Sequence, residues 1–155
     1  MQELGWLKHM PRLFGVQSEG SAAVANAFFT NTEQITPVAA NTIADSISVN
    51  LPRDGLRAVR AARETGGSYV TVPDSDILLA ITELGRAGIF SEPAGAAAFA
   101  GLRKALSAGL IQPADPALVL VTGSGLKDTR AALQAFGAAP VIEPTLEALK
   151  RHMGM

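Results

Sequence analysis

A hydroxyl set beside glycines follows an apolar run late in the chain. Residues 118–121 read LVLV, a predicted strand, and TGSG follows directly at residues 122–125. Ligands of parallel α/β sheets sit beyond the carboxyl ends of the strands, and glycines there let the backbone approach a ligand closely. The stretch therefore predicts either a small-molecule site or a plain strand-to-helix turn in which Ser124 acts as a cap.

The glycine spacing matches neither of the common phosphate-binding loops. The pattern G-x-x-x-x-G-K-[ST] is absent, and Asp128 stands where G-x-G-x-x-G requires its third glycine. Lys127 follows the glycines closely enough to be considered as a catalytic amine. The spacing alone leaves open whether Lys127 is a catalyst or only a neighbour of the site.

A second candidate group is the carboxylate of Glu92, in the segment FSEPAG. Pro93 suits the first turn of a helix, and a carboxylate just before that turn interacts favourably with the helix dipole. Glu92 is therefore either a capping acid or a pocket residue. Arg57, Arg60 and Arg63 recur every three residues, which indicates a solvated helix face.

The composition is that of a globular domain and lacks the marks of several functional classes. The 155 residues are 48% hydrophobic and 17% charged, and the net charge of −1 provides no attraction for nucleic acid or an anionic membrane. Cysteine is absent, and His9 and His152 lie near opposite ends without a carboxylate cluster, so no metal site is predicted. Without a signal peptide or an apolar run of about 20 residues, the expected location is cytoplasmic.

Strands alternating with helices predict an α/β fold with a mainly parallel sheet. The predicted strands are Arg12–Gln17, Ser68–Val72 and Leu118–Val121. Helices are predicted over residues 3–10, 21–29, 53–64 and 143–152, after a cap at Asp74, from Glu92 to Gly109, and from about Thr129, with a short turn capped by Thr42. Three strands are few for such a sheet, and the first helix has no cap, so the chain is expected to be part of a larger enzyme.

Four stretches taken together resemble the threonine synthase family, pyridoxal-phosphate enzymes of the tryptophan-synthase-β fold type. They are VQSEG at 16–20, TIADSISVNLP at 42–52, GIFSEPAGAAAFAGL at 88–102 and VLVTGSGLKD at 119–128. The third alone would also suit serine or threonine dehydratases, whereas the last favours threonine synthase. The resemblance implies a three-layer αβα fold in which residues 1–155 form the C-terminal portion of the large cofactor-binding domain, with the N-terminal part absent.

The resemblance also implies a role for the hydroxyl of Thr122. In this fold type a Ser or Thr at that strand end hydrogen-bonds the pyridine nitrogen of pyridoxal 5′-phosphate, and a neutral hydroxyl suits elimination and replacement better than transamination. Gly123, Ser124, Glu92 and Ala44 are expected to border the same pocket. Ser124 differs from the histidine that related enzymes carry at the corresponding place.

Lys127 resembles the cofactor-carrying lysine of the family without matching its motif. That lysine sits in a sequence close to T-G-S-F-K-D-R-G near the N-terminal side of the enzyme. TGSGLKDT has one extra residue before Lys127 and lacks the following Arg-Gly. Lys8, Lys104 and Lys150 have no such context either. No catalytic residue is therefore assigned to this chain, and the chain alone is expected to be inactive.

The activity implied for the parent enzyme is conversion of O-phospho-L-homoserine and water to L-threonine and phosphate, a lyase step of threonine biosynthesis. The missing N-terminal part would supply the lysine and the loop that holds the cofactor phosphate. Two alternatives stay open: part of a serine or threonine dehydratase, and a non-catalytic half-fold that serves as an interaction module. Because open strand edges and apolar surface favour association, the isolated chain is expected to form a homo-oligomer.

Overall fold

The computed structural model describes residues 3–155 and has a mixed α/β architecture. Its strands and helices are β1 (Phe14–Ser18), α1 (Ala23–Phe29), α2 (Gly55–Glu64), β2 (Ser68–Val72), α3 (Asp74–Arg86), α4 (Pro93–Ser107), α5 (Thr129–Phe136) and α6 (Leu146–His152). Short 3-10 turns lie at Glu19–Ser21, Asp45–Ile47 and Gly125–Lys127. None of the helices described over residues 3–155 has the length and apolar character that crossing a membrane requires.

Within the described residues the sheet is a parallel pair of strands. β1 and β2 are paired from Phe14 opposite Ser68 to Ser18 opposite Val72. Side chains of a strand alternate between the two faces of a sheet. Val70 and Val72 therefore join a core with α3 and α4, whereas Tyr69 joins a second core with α1 and α2. Helices thus cover both faces of the sheet, which confirms the predicted αβα class.

The Ala- and Gly-rich sequence of α4 allows this helix to lie close to the sheet. Ala96, Ala97 and Ala100 are almost completely buried. A Cβ placed on Gly101 would overlap the side chain of Val16 on β1. Small residues on this face of α4 are therefore a requirement of close helix–sheet packing.

The predicted third strand, Leu118–Val121, is not a strand in the structure. The segment has no ladder partner among residues 3–155, and the side chains of Leu118 and Leu120 are 89% and 69% exposed. A strand needs a neighbouring strand to satisfy its backbone groups, and high β-propensity cannot supply one. In this part of the chain the structure has only an isolated antiparallel bridge between Ser91 and Ser124.

Three local predictions near helix ends were also wrong. Residues 3–10 form turns instead of a helix, with Gly5 at a φ of 68° that interrupts a right-handed helix. Pro73, not Asp74, is the residue before α3, and Asp74 is its first helical residue. The turn after Thr42 begins only at Asp45, and its cap position is Ala44.

Other boundaries agree closely with the sequence. β2 covers the predicted Ser68–Val72, and α4 begins at Pro93, directly after Glu92. Gly109 ends that helical region with a φ of 68°, a conformation that glycine adopts without steric cost. α5 begins at Thr129, whereas β1 is displaced slightly toward the C-terminus relative to the prediction.

Candidate functional site

The SEPAG and TGSG segments lie side by side at the start of α4. The backbone N–H of Glu92 donates to the carbonyl of Gly123 at 3.0 Å, and that of Gly125 donates to the carbonyl of Phe90 at 2.9 Å. These two bonds flank the bridge between Ser91 and Ser124. Two segments separated by the whole of α4 are therefore fixed against each other by the backbone.

Gly123 packs directly against the side chain of Glu92. A Cβ at position 123 would overlap the carboxylate of Glu92, whose side chain is only 9% exposed. A Cβ at Gly95 would lie 3.2 Å from the backbone nitrogens of both Thr122 and Gly123. The first turn of α4 and the 122–123 backbone therefore pack as closely as glycines permit.

Lys127 forms an ion pair with the buried Glu92. Its Nζ lies 3.4 Å from Oε2 of Glu92, and the lysine side chain itself is 65% exposed. A carboxylate withdrawn from water needs a partner of opposite charge or hydrogen-bond donors. Lys127 supplies this charge from the solvent side, so the structure gives it a local role as the partner of Glu92.

A cleft of about 360 Å³ opens where three segments meet. Its walls are the turn that follows Ala44, the start of α4 and the turn Gly125–Lys127. The charged residues that line it are Asp45, Glu92, Lys127 and Asp128. With three carboxylates against one ammonium group, the cleft disfavours a phosphate group. Pro93 and Ala94 add apolar surface to the lining, against which a planar ring such as that of pyridoxal phosphate could lie. The phosphate of such a cofactor would then have to lie outside this cleft.

The five predicted site residues occupy different positions around this cleft, and only Glu92 lines it. Thr122 is exposed, and its hydroxyl has no hydrogen-bond partner among residues 3–155. Gly123 contacts Glu92, as described above. Ser124 accepts a hydrogen bond from the backbone N–H of Leu126 at 3.3 Å and so caps the following turn. Ala44 is fully buried in the core beside α4, immediately before the turn that lines the cleft.

Sequence reasoning missed one polar group at this edge of the sheet. The carboxylate of Asp74 accepts hydrogen bonds from the Thr42 hydroxyl at 2.5 Å and from the Ile43 backbone N–H at 2.9 Å. It also accepts one from the Ser18 hydroxyl at 3.2 Å. Ser18 ends β1 and Asp74 follows β2, so their positions at the carboxyl ends of two parallel strands could have indicated this cluster.

Comparison with known proteins assigns this arrangement to a class. The chain belongs to the family of pyridoxal-phosphate dependent enzymes, whose model matches residues 1–123. Among curated relatives, it is 34% identical to the threonine synthase of Methanosarcina acetivorans over 95% of this chain and 37% of that protein. It is also 34% identical to the threonine synthase of Mycobacterium tuberculosis over 99% of this chain and 41% of that protein. The resemblance to threonine synthases predicted from the motifs is therefore confirmed.

Solved structures agree with the fold. Threonine synthase from Escherichia coli has a TM-score of 0.66 at 19% identity, covering 94% of this chain and 37% of its own. A threonine deaminase from T.th. has a TM-score of 0.55 at 24% identity, covering 71% of this chain and 39% of its own. At these identities the two structures establish the fold alone. The chain spans about two fifths of the length of the curated relatives described above.

Proposed function

We propose that this chain forms the C-terminal part of a threonine synthase that converts O-phospho-L-homoserine and water to L-threonine and phosphate. The observation that carries the proposal is the meeting of three motif segments at one cleft. TIADSI, SEPAG and TGSGLKD are far apart in the sequence, yet each contributes a wall. The similarity to curated threonine synthases supports assigning this cleft to their reaction.

Thr122 is the residue we assign to the cofactor ring. Pyridoxal phosphate, when bound, supplies an electron sink for the negative charge that develops when a substrate C–H bond loses its proton. Thr122 does not line the cleft, so the ring would have to extend past its edge toward residue 122. There the Thr122 hydroxyl can donate a hydrogen bond to the pyridine nitrogen without placing a charge beside it. Since the hydroxyl is exposed and has no partner in the part of the chain that the structure describes, this bond would replace bonds to water and break none within the protein.

The other assigned residues hold Thr122 and the pocket wall in place. The bond between Glu92 and Gly123 fixes the backbone on the side of the bridge next to Thr122, so these two residues help to set the position of Thr122. Ser124 keeps its hydroxyl on the turn that it caps, so it supports the wall formed by that turn and makes no side-chain contact to the cofactor. Ala44 supports the turn that closes the opposite side.

The rest of the enzyme would carry the cofactor-bearing lysine and the phosphate-binding loop. Lys127 is already paired with Glu92, which supports its exclusion from the covalent role. We therefore expect that borohydride treatment of the purified 155-residue chain with pyridoxal phosphate labels no lysine specifically, and that the chain has no threonine synthase activity. A stoichiometric label on one lysine would contradict this part of the proposal.

The discriminating experiment compares two substrates on the complete enzyme. Phosphate release from O-phospho-L-homoserine, with formation of threonine, is expected to exceed deamination of threonine by a large factor. The reverse preference would favour the dehydratase alternative. The fold is compatible with that alternative, since it resembles the fold of a threonine deaminase. Activity on neither substrate, with no cofactor bound, would favour a non-catalytic module.

A further inference from the structure

Asp74 joins three separate stretches of the chain at the carboxyl edge of the sheet. It follows β2, and its Oδ1 accepts from the Ser18 hydroxyl at the end of β1. Oδ1 also accepts from the Thr42 hydroxyl, and Oδ2 accepts from the Ile43 backbone N–H at 2.9 Å. Since a carboxylate bonds backbone and hydroxyl donors strongly, this single side chain ties residues 42–43 to the sheet.

An acidic residue in the first turn of a helix can be explained by its interaction with the helix dipole alone. Asp76 allows this explanation to be tested for Asp74. Asp74 and Asp76 both lie in the first turn of α3, where the helix dipole favours negative charge. No side-chain hydrogen bond caps this helix, so the contacts of Asp74 are made away from its own helix. Among the described residues, Asp76 makes none of these contacts, so it isolates the dipole effect from the cross-linking effect.

The stretch that Asp74 holds leads directly into a wall of the cleft. Ala44 donates its backbone N–H to the Thr42 hydroxyl at 3.2 Å, and Asp45 and Ser46 then line the cleft. The turn at Asp45–Ile47 has no side-chain cap of its own. On its far side the Ser21 hydroxyl donates to the carbonyl of Ile47 at 2.9 Å. The position of this wall therefore depends on Asp74 before the turn and on Ser21 after it.

We propose that Asp74 is a positioning residue for the cofactor pocket: its bonds to Thr42 and Ile43 hold the wall formed by residues 44–46 at the distance that cofactor binding requires. The inference rests on the proposed function only in taking this cleft as the cofactor site. Asp74 does not line the cleft, so it acts through the backbone of residues 42–46 and not by touching the cofactor.

Asp74→Asn tests the inference because it preserves size and removes one acceptor. An asparagine has one acceptor oxygen, so it cannot serve both the Ile43 N–H and the hydroxyls as the carboxylate does. In the complete enzyme freed of cofactor, we expect amide exchange at Ile43 to accelerate about tenfold. We expect the dissociation constant of pyridoxal phosphate, measured by absorbance titration, to rise about tenfold. Asp76→Asn, the matched control, should change both by less than about twofold.

A second variant covers the case in which Asp74→Asn fails to fold. Thr42→Val removes one of the bonds to Asp74 and should reproduce part of the loss of cofactor affinity. Combining the two substitutions should weaken binding little beyond Asp74→Asn alone, because both act on one network. Fully additive losses would overturn the inference.

Several results would contradict the positioning role of Asp74 and leave the proposed reaction unaffected. Unchanged cofactor affinity with faster exchange at Ile43 would show that the wall need not be held. Weaker cofactor affinity with unchanged exchange at Ile43 would show that Asp74 does not act through residues 42–46. An equal loss of cofactor affinity in Asp76→Asn would show that the effect comes from the charge at the start of α3. Cofactor affinity is measured without substrate, so an enzyme that deaminates threonine would overturn the proposed function and leave the test of Asp74 intact.

Discussion

At the residue scale, the candidate site depends on glycines that leave room for neighbouring groups and on polar side chains that pair with each other. Gly123 leaves room for the carboxylate of Glu92, and Gly95 leaves room for the backbone of Thr122. The buried Glu92 is in turn balanced by Lys127. Thr122, by contrast, has an exposed hydroxyl with no partner in the described part of the chain, so the hydroxyl is free to bind a ligand.

Thr122→Val in the complete enzyme should weaken cofactor binding and slow turnover. The substitution keeps the shape of the side chain but removes the hydrogen bond to the ring nitrogen, at a cost of about 1–3 kcal/mol if that nitrogen is left unpaired. Absorbance titration of the cofactor-free enzyme measures the change. Thr36→Val, at an exposed position away from the cleft, is the control and should behave as the unmodified enzyme does. Unchanged affinity and rate in Thr122→Val would remove Thr122 from the site.

Gly123→Ala should destabilise the 155-residue chain through a steric clash that a second substitution relieves. The added Cβ overlaps the Glu92 side chain, and overpacking of this kind costs about 1–3 kcal/mol. Glu92→Ala removes the atoms in conflict. The double variant should therefore lose less unfolding free energy than the sum of the two single losses, as measured by chemical denaturation. Simple additivity would show that the two residues do not meet as described.

At the element scale, the two faces of β2 pack against different helices. Val70 and Val72 meet α3 and α4, where small residues allow close approach. Tyr69 points to the other face and packs against α1, with its ring 5.4 Å from that of Phe28. Burial disfavours the charged phenolate and so raises the pKa of Tyr69 above its ordinary value.

Because Tyr69 is the one tyrosine in the sequence, its titration can be observed directly. Because the pKa of Tyr69 is higher in the folded chain, the neutral phenol stabilises the fold. This contribution is fully present at pH values below the pKa of the unfolded chain, about 10. That contribution is lost as the pH rises through the folded pKa. We expect near-ultraviolet absorbance to show ionisation at higher pH in the folded chain than in the chain unfolded by denaturant.

Tyr69→Phe provides the control for this titration. The variant should lack the absorbance change altogether, and its stability should fall less steeply above about pH 10. Identical titration curves for the folded and unfolded chain would mean that the side chain is not buried against α1 in solution.

At the scale of the whole molecule, a large part of the apolar surface is left uncovered. Leu118 and Leu120 are 89% and 69% exposed, in a segment that the described chain does not pair, and Leu126 in the turn Gly125–Lys127 is 76% exposed. Leu133 and Phe136 on α5 are also more than half exposed. Large apolar side chains exposed close together in the sequence are what a contact with another protein segment would cover. We propose that the remainder of a threonine synthase covers these side chains.

The isolated chain is therefore expected to self-associate. Burial contributes about 25 cal/mol per Å² of apolar surface, so about 400 Å² would favour association by roughly 10 kcal/mol before the entropic cost of pairing. Sedimentation over micromolar concentrations should show species larger than a monomer. Replacing Leu118 and Leu120 by lysine should shift the distribution toward the monomer.

The matched control adds the same charge where no apolar surface is lost. Lysines in place of Gln34 and Thr36, both exposed polar residues, should leave the distribution unchanged. A stable monomer of the unmodified chain, with no binding of a hydrophobic dye, would contradict the expectation of self-association.

Local signals in the sequence were sufficient wherever the deciding interaction is itself local. The β-rich run of Ser68–Val72, the proline that opens α4 and the glycine that ends it each act within a few residues, and all three boundaries agree with the structure. The family could likewise be inferred from short motifs, since their residue types and order are written along the chain.

Only the tertiary structure decided which of these segments meet. Leu118–Val121 has the composition of a strand, but pairing requires a neighbour that its own residues cannot specify. The sequence predicts a helix cap at Asp74, but in the structure its carboxylate accepts hydrogen bonds from the hydroxyl of Thr42 and the N–H of Ile43 instead. In the same way, Glu92 and Gly123 form one site because the chain returns after α4, and a contact over that separation exists only in the folded molecule.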